Sequence, residues 1–117
     1  MSEIKHIDAG NRLSEATIYA GIVYLAGQVA EDSSLNAYEQ TQQVLQLIDI
    51  LLGKSGSDKS RILRAEIFLA DMNDYAEMNR AWDQWVVVGK APARSTVEAK
   101  LADPNWKVEI VITAACK

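Results

Sequence analysis

Two side chains in this sequence place charge inside strand-like surroundings. Arg94 lies at the start of the run PARSTVEAK, residues Pro92 to Lys100, and Glu109 interrupts the apolar run KVEIVI. A guanidinium keeps its charge at any physiological pH, and its planar fork can grip a carboxylate with two parallel hydrogen bonds. A carboxylate within an apolar strand is solvated at an edge, pairs with a cation, or has its pKa raised by desolvation until it can move protons. Each residue also has a plainer reading. Arg94, Thr96 and Glu98 share one strand face, with Arg94 and Glu98 about 13 Å apart at roughly 3.3 Å per residue, which suits a solvated polar face as well as a carboxylate anchor. Buried structural ion pairs likewise account for residues such as Glu109.

The lesser candidates are weaker. Gly27, in AGQVA, ends a strand where a ligand could approach the backbone closely, and it could equally mark a bulge. Asn79 falls at the margin of an apolar helical stripe, a place usually polar for solubility. Cys116 and His6 are the sole cysteine and histidine. That is too few for a disulfide within the chain or a Cys/His zinc set, and no acidic loop with ligand spacing points to a metal. Cys116 has no neighbouring histidine or cationic cluster to activate it. A Ser-His-Asp arrangement has nothing to build on around His6.

These residues must be held by the elements that periodicity predicts. ATIYA, a turn at Ala20-Gly21, and IVYLAG read as a β-hairpin, with His6 in an amino-terminal strand ahead of it. After the cap-rich EDSSLN, Tyr38, Leu45, Ile48 and Leu52 recur at helical steps and predict a helix over Ala37 to Lys54, ended by Gly53 and Gly56. RILRAEIFLA alternates as a strand, with Leu63, Ala65, Ile67 and Leu69 on one face and Arg64, Glu66 and Phe68 on the other. Tyr75, Met78, Trp82 and Trp85 then predict a second helix over Asp74 to Val87, capped by Asn73 or Asp74, with its tryptophans in the core. ARSTVEAKL and WKVEIVITAA, parted by the turn ADPN, complete an order β-β-α-β-α-β-β. The 117 residues hold one domain without linker or repeat, an α/β (α+β) sandwich with both helices on one face of the sheet.

A sheet covered on one side exposes the other. The last strand offers apolar residues to both, Val108, Ile110 and Ile112 on one face and Val111 and Ala115 on its opposite, so a homo-oligomer packing sheet against sheet is expected. No run approaches the ~18 apolar residues of a membrane span, and MSEIKHIDAG has no targeting pattern, so a cytoplasmic protein without membrane association is expected. Net charge −4 and scattered basic residues oppose nucleic-acid binding, which needs clustered Lys and Arg.

Taken together, VYLAGQVAED, IFLADMNDYAEMNRAW, APARSTVEAKL and KVEIVITAA make the chain resemble the RidA (YjgF-type) reactive-intermediate deaminases along almost its whole length. The resemblance implies a fold like that of the small trimeric chorismate mutases, a homotrimer, and sites in the clefts between subunits. It implies hydrolysis of enamines and imines of the 2-aminoacrylate and 2-iminopropanoate type to 2-keto acids and ammonia, with neither metal nor organic cofactor. By position, Arg94 matches the arginine that binds the substrate carboxylate and Glu109 the glutamate that orients or activates water. Asn79 matches the pocket asparagine and Gly27 the glycine whose backbone faces the ligand. Thr96 stands where many members carry cysteine, and Leu13 where many carry an aromatic residue; both bear on pocket shape and substrate preference. Two rival readings remain: a noncatalytic trimer that captures small carboxylates, and a ribonuclease, which lacks both the basic surface and a histidine pair.

Overall fold

The structure, a computed structural model, describes residues 3–117. In chain order it contains β1 (Lys5–Ala9), β2 (Ser14–Tyr19), β3 (Ile22–Leu25), α1 (Ala37–Lys54), β4 (Ile62–Leu69), α2 (Tyr75–Trp85), β5 (Ala93–Glu98) and β6 (Val108–Ala115). A single sheet orders them β1-β2-β3-β6-β4-β5. β4 and β5 pair in parallel and the other pairs are antiparallel. The order is the expected one with β1, the strand of His6, added at the sheet's edge.

Local chemistry sets the boundaries. Tyr19 pairs with Ile22 across a two-residue loop in which Ala20 (φ 51°) and Gly21 (φ 79°) both take positive φ. Positive φ at both central positions is the hairpin turn whose twist matches that of its strands. Asn36 caps α1, its side chain accepting the Glu39 N–H at 2.9 Å. At the other end Gly53 lies inside the last turn. Gly56, at φ 78°, is the glycine that stops the helix, with Ser57 N–H donating to the Leu52 carbonyl at 2.9 Å and Gly56 N–H to that of Gly53 at 3.3 Å. Asp71, rather than Asn73 or Asp74, supplies the cap ahead of α2: it accepts the Asn73 N–H and closes the single 3₁₀ turn Met72–Asp74. α2 stops at Trp85, two residues before the expected end, because Val86 is already extended.

Both helices cover one sheet face. Val44, Ile48 and Leu52 of α1 and Met78 and Trp82 of α2 are buried against alternate residues of the central strands. β6 alternates as its sequence predicts: Val108, Ile110, Ile112 and Ala114 are buried under the helices, while Glu109, Val111, Thr113 and Ala115 are only partly covered on the other side. β4 departs from expectation at its start. A register shift between Ile62 and Arg64 marks a bulge, which turns Ile62 into the core and leaves Leu63 48% exposed. From Ala65 onward the predicted faces hold. No helix among the described residues is long and apolar enough to cross a membrane.

Candidate functional site

Arg94 sits on β5, an edge strand. In the parallel register Arg94 pairs with Ala65 and Thr96 with Ile67, both buried beneath the helices, so Arg94 and Thr96 lie on the helix side of the sheet. There the guanidinium carbon is 5.3 Å from the Trp82 ring centroid and 5.9 Å from that of Tyr75. Its Nη2 donates to the Tyr75 hydroxyl at 3.3 Å. Two electron-rich ring faces attract a cation and restrict where its fork can point. Among the described residues Arg94 forms no ion pair: the salt bridges join Lys54 to Asp8, Arg64 to Glu66, Arg80 to Glu77 and Lys117 to Asp58. Glu98, four residues along the strand, accepts the Met72 N–H at 2.9 Å and so belongs to the turn before α2.

Asn79 lies one helical turn after Tyr75. Hydrogen bonding from Asn79 and then the charge of Arg94 hold the Tyr75 hydroxyl below the usual tyrosine range near 10. Thr96 carries the other notable polar atom, since its Oγ1 is buried without a hydrogen-bond partner among the described residues. An unmade hydrogen bond of this kind costs about 1–3 kcal/mol, and such orphans are uncommon in native structures. One charged fork, one phenol, one amide and one unpartnered hydroxyl are therefore gathered at a single edge of the sheet.

Glu109 and Gly27 occupy the other side. Glu109 alternates with the buried Val108 and Ile110 and pairs with Phe68 across the sheet, which directs it away from the helices. β6 is a central strand, so solvation at a sheet edge is not open to this carboxylate. Among the described residues it has no ion pair. Gly27 lies against it: a Cβ built on the glycine would overlap the Glu109 carboxylate and come within 2.8 Å of its carboxyl carbon. The glycine therefore leaves the space that the glutamate fills, and a bulge is not required to explain it.

The five candidates thus fall into two groups within one chain. Arg94 and Thr96 lie on the helix side at the β5 edge with Asn79 above them on α2, whereas Gly27 and Glu109 meet on the uncovered face. Sequence reasoning placed Tyr75 in the core stripe and missed its place beside Arg94; it is 43% exposed, whereas Met78 and Trp82 are buried. The four-residue step from Tyr75 to Asn79, which puts both on one helix face, was the signal available. Cavities of about 530 and 600 Å³ lie elsewhere. The first is between the helices, walled by Gln46, Asp49 and Trp85, and the second is under the β5–β6 connection, walled by Leu101, Pro104 and Trp106; neither is lined by Arg94 or Glu109. Among the described residues no three His, Cys, Asp or Glu side chains cluster as a metal-binding set.

Comparison with known proteins covers nearly the whole chain. A family model described as endoribonuclease L-PSP matches residues 3–116. A RutC family protein of Haemophilus ducreyi is 63% identical over 112 residues, spanning 96% of this chain and 96% of that protein. The RutC family protein YoaB of Escherichia coli K12 is 53% identical over 112 residues, 96% of this chain and 97% of the relative. The crystal structure of a YjgF-family member from Neisseria meningitidis superposes with a TM-score of 0.97 at 48% identity, covering 99% of this chain and 97% of that one. With two helices on a mixed six-stranded sheet and this degree of identity to RutC and YjgF proteins, the chain belongs to the YjgF/RidA-type family.

Proposed function

We propose that this protein is a cytoplasmic deaminase that hydrolyses enamine and imine intermediates of the 2-aminoacrylate and 2-iminopropanoate type to 2-keto acids and ammonia. The observation that carries the reading is the Arg94 guanidinium, set against Trp82 and Tyr75 without a carboxylate partner among the described residues and next to the buried, unpartnered hydroxyl of Thr96. Such a fork suits a small carboxylate, and Asn79 and Thr96 add polar contacts to it.

The chemistry asks little beyond placement. An imine carbon is already electrophilic, so one held carboxylate and one positioned water bring most of the required order. Glu109 takes a proton from the water as its oxygen bonds to the imine carbon and passes it to the nitrogen, giving the carbinolamine; it then relays the hydroxyl proton to the amine as the C–N bond breaks and ammonia leaves. The sum is imino acid plus water giving keto acid plus ammonia, with no change of oxidation state and no cofactor. Since Arg94 and Glu109 lie on opposite sides of the sheet in one chain, the complete site draws Arg94 from one copy and Glu109 from a neighbour. A homotrimer that sets the β5 edge of one copy against the uncovered face of the next would provide that arrangement. Val111, Ala115 and the 47%-exposed Val97 on that face are the apolar surface it would bury.

Arg94→Ala tests the reading in a time course of keto-acid release from freshly generated 2-aminoacrylate. Loss of acceleration with the fold intact is expected; retention of most activity would refute the anchor role. Noncatalytic capture of a small carboxylate is the second reading, favoured by the donors gathered at Arg94, which suit an anion without any of them needing to move a proton. Glu109→Ala separates the two, removing turnover from an enzyme but preserving or tightening binding in a capture module. The family model's ribonuclease description finds less support. The sole histidine, His6, is exposed on β1, at the opposite sheet edge from β5, and the net charge is −4.

A further inference from the structure

Tyr75 does more at Arg94 than offer a ring. Its oxygen accepts the Arg94 Nη2–H at 3.3 Å, and Asn79 lies one turn along on the same helix face. A phenol oxygen has two lone pairs and a single proton. With the guanidinium donating to one lone pair, the proton is left to give. No acceptor for it occurs among the described residues, and Tyr75 is 43% exposed on the side of the edge strand β5 that carries Arg94. The hydroxyl is therefore a fixed donor beside an unpaired fork.

We propose that Tyr75 is a ligand-binding residue whose O–H donates a further hydrogen bond to the carboxylate gripped by Arg94. This inference rests on the reading of Arg94 as the carboxylate anchor. Three donors from two elements, two on β5 and one on α2, fit the oxygens of a carboxylate better than the single carbonyl of an ester or amide, so Tyr75 sharpens selection for free 2-keto and 2-imino acids. A phenylalanine keeps the ring that faces the guanidinium and removes only the donor, which makes Tyr75→Phe a clean probe.

The sign with pH follows from the same group. Asn79 and Arg94 lower the pKa of the phenol from 10.0. Its deprotonation removes the donor and sets a negative charge beside the bound carboxylate, so affinity is full at neutral pH and falls as pH rises through that pKa.

The test uses pyruvate, titrated into the intact protein and followed by calorimetry, with methyl pyruvate as the uncharged control. At pH 7 Tyr75→Phe should bind pyruvate about 10-fold more weakly than the wild type, the loss expected for one hydrogen bond to a charged group, with no difference between the two for methyl pyruvate. Between pH 7 and about 10 the wild type should lose affinity more steeply than the variant. Equal affinity and equal pH dependence would overturn the role of Tyr75 while leaving the anchor in place. Failure of the wild type to bind pyruvate, or undiminished binding by Arg94→Gln, would remove the anchor and this inference together.

Discussion

Gly27→Ala asks whether the glycine exists for the sake of Glu109. A Cβ at this position would lie 2.8 Å from the Glu109 carboxyl carbon and 3.1 Å from its Cγ. Non-bonded carbons rest at about 3.5–4.0 Å, so the carboxyl group must retreat by roughly 0.7–1.2 Å. The backbone offers no resistance, because Gly27 is outside the left-handed region that excludes alanine. Stability should therefore change by less than about 1 kcal/mol, since reduced freedom of the unfolded chain offsets some of the crowding. A catalytic group misplaced by 1 Å can lose up to about 100-fold in rate, and we expect kcat for keto-acid release from 2-iminopropanoate to fall roughly 10- to 100-fold. The assay is run in a double-mutant cycle with Glu109→Gln. Once the carboxylate is gone, adding the methyl group should cost little more. A full rate in Gly27→Ala, or the same fractional loss in both backgrounds, would refute the claim that this glycine makes room for a working glutamate.

Two further predictions concern the scaffold. Gln40 is fully buried, donating to the carbonyls of Leu35 (3.0 Å) and Asn105 (3.1 Å) and accepting the Lys107 N–H at 2.9 Å. Gln40→Leu strands these groups at about 1–3 kcal/mol each and should lower stability by roughly 3 kcal/mol or more in denaturant titration; a change under about 1 kcal/mol would show that other partners take over. Ala20 holds φ at 51° in the hairpin turn before Gly21, a conformation that costs a non-glycine residue roughly 1–2 kcal/mol. Ala20→Asn restores the favoured Asn-Gly pair and should raise stability by about 0.5–1 kcal/mol, read as a higher unfolding midpoint at fixed protein concentration; a lower midpoint would contradict the strain argument.

Local signals revealed most of the fold. α1 runs from its Asn36 cap to the Gly56 stop, and the alternation of β6 places Glu109 opposite Val108 and Ile110, each a pattern visible within a dozen residues. The bulge at Ile62–Arg64 was hidden because the run from Leu63 to Leu69 satisfies the strand period by itself, and only pairing with β6 shows that Ile62 takes the core side. Gln40 is not among the residues whose spacing predicts α1. It is buried because the β5–β6 connection brings the Asn105 carbonyl over it, a contact 65 residues distant in sequence. The candidate site was legible as residue types but not as an arrangement. Strand alternation gives the faces within β5 and within β6, whereas the side of the sheet to which Arg94 turns depends on the parallel register between β5 and β4. Tyr75 keeps the helical spacing of the apolar stripe, yet it lies in the first turn of α2 next to an edge strand, where nothing further covers it.

The central claim is that the reaction site joins Arg94 of one copy to Glu109 of another, and subunit mixing tests it directly. Arg94→Ala and Glu109→Ala chains, each inactive alone, are unfolded together, refolded as a mixture and assayed for keto-acid release from freshly generated 2-aminoacrylate. If the two groups meet across an interface, random assortment restores an intact pair at about a quarter of the sites, and activity returns to about that fraction of the wild-type level. If mixing restores nothing while wild-type chains refolded alongside are fully active, the two residues do not cooperate between copies and the account fails.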